Sequence, residues 1–106
     1  MPFKNPNGVF ACQLKIPGYG PLPRLSLGTR RLTDARQLES AIRTVGRYAL
    51  TDPALHDLLD AIRPQGKGRR GVLAPADLLV ALNRPGDTTA HLHALRRRLT
   101  DPALSA

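Results

Sequence analysis

One run of residues concentrates the side chains that could do chemistry in this chain. Residues 25–36 read LSLGTRRLTDAR, which is typical of a strand end, a glycine turn and a helix start. Arg30 and Arg31 lie in the turn, and Arg36 follows on the helix. A guanidinium presents its donors as a planar fork that suits phosphate oxygens and guanine edges. The run therefore predicts contact with a phosphate backbone rather than chemistry on a small molecule.

The overall charge points to the same kind of partner. The 106 residues include 16 Lys and Arg against 8 Asp and Glu, which gives a formal net charge of +8. Only Lys4, Lys15 and Lys67 are lysines, and every other basic residue is an arginine. A strongly basic domain implies a polyanionic partner, and we expect double-stranded DNA.

The other reactive residue types argue against several functions. Cys12 is the single cysteine, so no internal disulfide can form and a reducing cytoplasm is expected. His91 and His93 alternate on a predicted helix and no cysteine pair accompanies them, so we expect no metal site. No phosphate loop or paired-carboxylate motif stands out, so no cofactor is expected. No apolar stretch approaches the roughly 18 residues of a membrane span.

Two strands are predicted to precede the arginine turn, after an irregular arm over residues 1–8. Residues 9–16 alternate between apolar and polar positions, and residues 17–21 predict a turn. Residues 23–27 predict a second strand, which its prolines limit to a sheet edge. The side chains predicted to point outward are Ala11, Gln13, Lys15, Arg24 and Ser26.

The helix that follows is predicted over residues 34–49, with Asp34 and Gln37 as a capping box. Its apolar residues fall on one arc of about 120°. They are Ala35, Leu38, Ala41, Ile42, Val45 and Ala49. Arg36, Arg43 and Arg47 fall on a separate arc of about 40°. We expect a core face and a guanidinium stripe that contacts phosphate, with a merely solvated surface as the alternative.

The second half of the chain predicts three short helices. Asp52 and Pro53 begin the first, which ends near residue 62, and the others cover residues 75–83 and 88–99. The basic loop over residues 65–71 has the charge to touch phosphate. Its cations are Lys67, Arg69 and Arg70.

The strand ending in Ser-Leu-Gly-Thr, the basic pair and the Asp-Ala-Arg helix start resemble the N-terminal DNA-binding domain of phage-type integrases, the tyrosine recombinases. The resemblance covers roughly residues 8–50. It implies a small antiparallel sheet packed on one helix, with the sheet in the major groove at arm-type sites. Base contact then falls to the outer face of the sheet, at Gln13, Lys15, Arg24 and Ser26. The family domain has three strands, whereas two are clear here; residues 5–10 supply the third, or the sheet is smaller.

A catalytic role is not expected. The recombinases cut DNA with a tyrosine assisted by a His-x-x-Arg box, and residues 93–96 match that box formally. No tyrosine follows Tyr48, however. We interpret His93 and Arg96 as a chance match on an exposed helix face.

The sequence therefore predicts an α+β fold, with a small antiparallel β-sheet packed on one α-helix and a short helical bundle after it. Residues 1–50 form the predicted DNA-binding domain. Residues 51–106 form a helical segment, either the start of a core-site-binding domain or a helical cap. The expected function is a non-catalytic, sequence-directed DNA-binding module for DNA integration and recombination, associated with the nucleoid and with other integrase protomers. The alternatives are a helical protein-interaction module and an RNA- or ribosome-associated basic protein.

Overall fold

A computed structural model describes residues 2–64 and 71–100, apart from the side chains of Pro23 and Thr100. It confirms an α+β fold in which a three-stranded antiparallel sheet precedes a set of helices. The strands are β1 (Phe3–Lys4), β2 (Phe10–Ile16) and β3 (Gly20–Ser26). The helices are α1 (Leu32–Thr51), a 3₁₀ turn (Pro53–Leu55), α2 (His56–Ile62), α3 (Pro75–Asn83) and α4 (Thr88–Thr100).

The third strand comes from the segment that was expected to be an irregular arm. Phe3 pairs with Ala11 and Lys4 pairs with Phe10, so β1 lies beside β2 at the start of the chain. The prediction that residues 5–10 supply this strand is wrong, because residues 5–9 form the β1–β2 turn. In that turn the Asn5 N–H donates to the Val9 carbonyl over 2.9 Å.

Proline fits into β3 because the strand lies at the sheet edge and carries a bulge. The sheet order is β1-β2-β3, which confirms the predicted edge position. Cys12 pairs with Leu25, but Leu14 pairs with Leu22, so the register shifts between them. A bulge places an extra residue where the ladder is interrupted, and such sites tolerate the missing N–H of proline. Strand β3 also begins at Gly20 rather than at the predicted residue 23.

Helix α1 begins two residues earlier than predicted. Its N-cap is Arg31, which has no side-chain capping bond, so the expected Asp34–Gln37 capping box is wrong. Asp34 still lies in the first turn, where a carboxylate suits the positive end of the helix. The predicted core arc is confirmed in full, since all six of its apolar residues are buried.

Helices α2 and α3 pack onto α1, and α4 packs onto α2 and α3, so that the later helices extend the same core. Leu58, Leu78 and Leu92 are fully buried and belong to one hydrophobic cluster with the inward residues of the sheet. The predicted helix over residues 75–83 is confirmed. Asp87 caps α4 as expected, because its carboxylate accepts the Thr89 N–H at 3.0 Å.

Candidate nucleic-acid interface

The outer face of the sheet presents the four polar side chains that the sequence predicted there. Cys12, Leu14 and Leu25 are buried against α1, so the alternate positions point away from the helix. The four exposed residues are Gln13, Lys15, Arg24 and Ser26. The sheet thus offers an amide, a hydroxyl and two cations on a surface that α1 leaves uncovered.

Ala11 departs from the predicted pattern, because it lies on this outer face yet is fully buried. It stands in register between Phe3 on β1 and Ser26 on β3. Arg24 reaches across β2 and places its guanidinium carbon 5.0 Å from the centre of the Phe3 ring. The side chains of Arg24 and Phe3 therefore cover the small Ala11 side chain and join the two edge strands.

Arg24 is held in place by two residues of the N-terminal segment. Besides its contact with the Phe3 ring, it donates a hydrogen bond from Nη2 to Oδ1 of Asn5. A guanidinium over an aromatic face is attracted by the ring quadrupole, and one bond to an amide leaves several of its five donors for a ligand. Phe3 and Asn5 could not be predicted from the sequence, since a two-residue strand is too short to show alternation.

The glycine turn after β3 is fastened to the sheet. Gly28 has a φ of 69°, a left-handed value that glycine adopts at little cost. The Phe10 N–H donates to the Thr29 carbonyl over 2.8 Å, and the Arg31 N–H donates to the Thr29 hydroxyl over 3.2 Å. The backbone that carries Arg30 and Arg31 is therefore tied to β2 rather than loose.

Arg30 and Arg31 are both exposed at the end of the sheet where the β1–β2 turn lies. A Cβ built on Gly8 would stand 3.9 Å from Nε of Arg30, which places the Arg30 side chain beside that turn. Arg31 lies 3.9 Å from Asp34, and its side chain is 82% exposed. An ion pair so long and so exposed contributes little and leaves the charge of Arg31 available to a polyanion.

The stretch of chain that carries these cations contains no acidic residue of its own, although Asp34 at the start of α1 lies 3.9 Å from Arg31. Residues 1–31 include no Asp or Glu. Their cations are Lys4, Lys15, Arg24, Arg30 and Arg31. We use the name sheet-and-turn surface for Gln13, Lys15, Arg24, Ser26, Arg30 and Arg31. The field of this surface is positive and attracts phosphate.

The predicted guanidinium stripe is exposed but belongs to a different face. Arg36, Arg43 and Arg47 are all exposed on α1, which packs against the inner face of the sheet. Nε of Arg43 lies 3.7 Å from Glu39, and Arg47 donates to the Thr44 hydroxyl over 3.2 Å. The fold therefore places the outward sheet residues and the α1 stripe on opposite sides of the sheet, with the turn arginines at the start of α1. Lys67, Arg69 and Arg70 lie outside the described residues.

The His-x-x-Arg match is not on an exposed face, so that expectation is wrong. Nε2 of His93 lies 2.5 Å from the Asp52 carboxylate. Nε of Arg96 donates to Asp57 over 2.8 Å and to the Ala54 carbonyl over 3.0 Å. His93 and Arg96 are each about one-third exposed and join α4 to the segment around the 3₁₀ turn. Their contacts are those of a structural fastening between helices.

Two further groups have altered acid–base properties but lie away from the sheet-and-turn surface. Cys12 is fully buried, and that burial raises the pKa of its thiol to about 11. Burial also raises the pKa of Tyr19, whose hydroxyl donates a hydrogen bond to Asp60 and accepts one from Arg63.

No group of three metal-binding side chains occurs within residues 2–64 and 71–100.

Within the described part of the chain, no helix is long and apolar enough to cross a membrane. Comparison of the chain with protein-family models, curated proteins and solved structures found no match.

Proposed function

We propose that this protein is a non-catalytic module that binds double-stranded DNA through its sheet-and-turn surface. The observation that carries the proposal is the exposure of outward sheet residues and turn arginines on a stretch of chain, residues 1–31, that has five cations and no carboxylate of its own. A short antiparallel sheet can enter the major groove, where arginine pairs with guanine and glutamine with adenine. Gln13 and Arg24 would then read bases, while Arg30 and Arg31 bind phosphates.

The resemblance to the N-terminal domain of phage-type integrases supports this assignment. That domain has three strands on one helix, and the chain has β1, β2 and β3 on α1. In this role the module holds an integrase on DNA in recombination, beside other integrase protomers, and does not itself cut or join strands. The structural contacts of His93 and Arg96 support a non-catalytic role.

A binding measurement tests the proposal. A duplex is first selected from a random-sequence pool by the parent protein. The triple variant Arg24→Ala, Arg30→Ala, Arg31→Ala should then bind it at least about 100-fold more weakly, since each lost contact costs about 1–3 kcal/mol. The matched control removes three exposed arginines elsewhere, at Arg84, Arg97 and Arg98. It should retain affinity to within a few-fold.

The same assay separates the alternatives. Equal binding by the two triple variants would show that charge alone attracts DNA and that the assigned surface is wrong. Structured RNA that displaces the selected duplex at equal concentration would favour an RNA-associated protein. Absence of duplex binding together with tight self-association in sedimentation would favour a protein-interaction module.

A further inference from the structure

The α1 stripe is a second basic surface of considerable length. Arg36 and Arg47 are eleven residues apart, which corresponds to about 16 Å along a helix axis. Arg43 lies between them, and its side chain is 54% exposed. A duplex carries one phosphate per about 1.7 Å of its axis, so a segment of this length presents about ten phosphates. Three guanidiniums spread over this distance can each pair with a phosphate of the duplex.

The sheet lies between a straight duplex on its outer face and the last two arginines of this stripe. Helix α1 packs against the inner face, as shown by Gly46, where an added Cβ would stand 2.7 Å from Cγ2 of Ile16. The buried side chains of Cys12, Leu14 and Ile16 fill the space on that side of the sheet. The sheet therefore lies between its outward residues and the helix that carries the stripe.

The surroundings of the stripe leave its positive charge exposed. Glu39, the carboxylate beside Arg43, is only 9% exposed, whereas the guanidinium projects toward solvent. Arg36 has no carboxylate partner within the described residues. Ser40 is exposed on the same side of the helix, and a hydroxyl can also bond a phosphate. This surface offers charge and hydroxyls but no base-reading pattern.

We propose that the α1 stripe binds the phosphate backbone of a second duplex, independently of sequence, so that one molecule holds two DNA segments. The proposal rests on the proposed function for the first duplex. It assigns recognition to the sheet-and-turn surface and bridging to Arg36, Arg43 and Arg47. The second contact involves about three phosphates, which corresponds to a salt slope of about −2.7.

The experiment measures capture of a second duplex. The selected duplex is immobilised, the protein is added, and a fluorescent random-sequence duplex is supplied in solution. The parent should retain the fluorescent duplex at low salt. Its affinity for this second duplex should fall about 40-fold when the salt concentration is raised fourfold. The variant Arg36→Ala, Arg43→Ala, Arg47→Ala should bind the selected duplex within twofold of the parent but capture at least tenfold less of the second. The variant lacking Arg84, Arg97 and Arg98 should capture as the parent does.

Sedimentation with DNA in excess gives the composition of the complex, and thermal melting verifies that each variant is folded. One protein with two duplexes is the expected complex.

Capture of the second duplex by the stripe variant equal to that by the parent would overturn the inference. So would a complex of two proteins with two duplexes, because oligomers would then do the bridging. Loss of the selected duplex by the stripe variant would show that both surfaces share one DNA. Failure of the proposed function gives another pattern, in which loss of Arg24, Arg30 and Arg31 leaves binding of the selected duplex unchanged.

Discussion

The guanidinium of Arg24 lies 5.0 Å above the ring of Phe3, so the two edge strands of the sheet meet across β2. Asn5 accepts a hydrogen bond from the same guanidinium. A long arginine side chain loses considerable rotamer freedom when it binds a ligand. The contacts with Phe3 and Asn5 restrict Arg24 before DNA arrives, which lowers that cost.

Replacing Phe3 with Leu tests this preorganisation. The change keeps an apolar side chain but removes the ring, and an exposed cation–π contact is worth about 0.5–1 kcal/mol. We expect the affinity for the selected duplex to fall about two- to fivefold, with the salt dependence unchanged. Arg24→Ala should instead weaken binding and reduce the salt slope by about 1, since it removes a charge. Parent-like affinity of Phe3→Leu, with an unchanged melting temperature, would show that the ring does not position Arg24.

The contacts that hold α4 to the segment around the 3₁₀ turn should contribute to folding stability and not to DNA binding. Arg96 bonds both Asp57 and the Ala54 carbonyl, and all of these groups are partly exposed. We expect Arg96→Ala to lower the free energy of unfolding by about 1 kcal/mol, as measured by urea denaturation. A double-mutant cycle with Asp57→Ala isolates the pair from the backbone bond. A large loss of duplex affinity in Arg96→Ala at unchanged stability would contradict this structural role.

The sequence was most informative where a regular period ran over several turns. The core arc of α1 could be predicted because burial on one face of a twenty-residue helix repeats every three to four residues. Strand β1 could not, because Phe3 and Lys4 become a strand only through pairing with β2. The alternation of β2 correctly placed Gln13 and Lys15 outward, but alternation says nothing about a neighbour that covers Ala11.

Side-chain contacts between segments that are distant in the sequence also could not be predicted. The residues matching the His-x-x-Arg box were expected on a solvent face because they were placed on the side of α4 opposite to its leucines. Their partners, Asp52 and Asp57, lie about 40 residues earlier. Likewise, the outward residues of the sheet and the arginines of α1 lie on opposite sides of the sheet, which only the packing of α1 on its inner face reveals.

The continuity of the core predicts that the sheet and the later helices unfold together. Leu92 on α4 and Cys12 on β2 are both fully buried and belong to the same cluster. Leu92→Ala should cost about 3–5 kcal/mol. Because Cys12 reacts with a thiol reagent only when its strand opens, we expect the variant to speed labelling of Cys12 by the factor that its lost stability implies. Leu32→Ala, at a residue that is 43% exposed, is the control and should label as the parent does. Parent-like labelling of Leu92→Ala would show that the sheet is stable without the packing of α4.

The buried thiol also predicts a specific alkaline sensitivity. The pKa of Cys12 is raised from its ordinary value of 9.0 to about 11, chiefly because burial disfavours the thiolate. Between these values the folded state keeps a proton that the unfolded state releases. The contribution of Cys12 to the free energy of unfolding is therefore fully present below pH 9 and is lost as the pH rises toward 11. One pKa unit corresponds to about 1.4 kcal/mol, so the loss between pH 8 and pH 10 is about 1 kcal/mol. Urea denaturation of the parent and of Cys12→Ala at both pH values measures it, since the two proteins share every other titratable side chain. Cys12→Ala should have a lower free energy of unfolding than the parent at pH 8 and should lose less of it at pH 10. Equal losses in the two proteins would mean that the Cys12 thiol ionises as readily in the folded state as in the unfolded state.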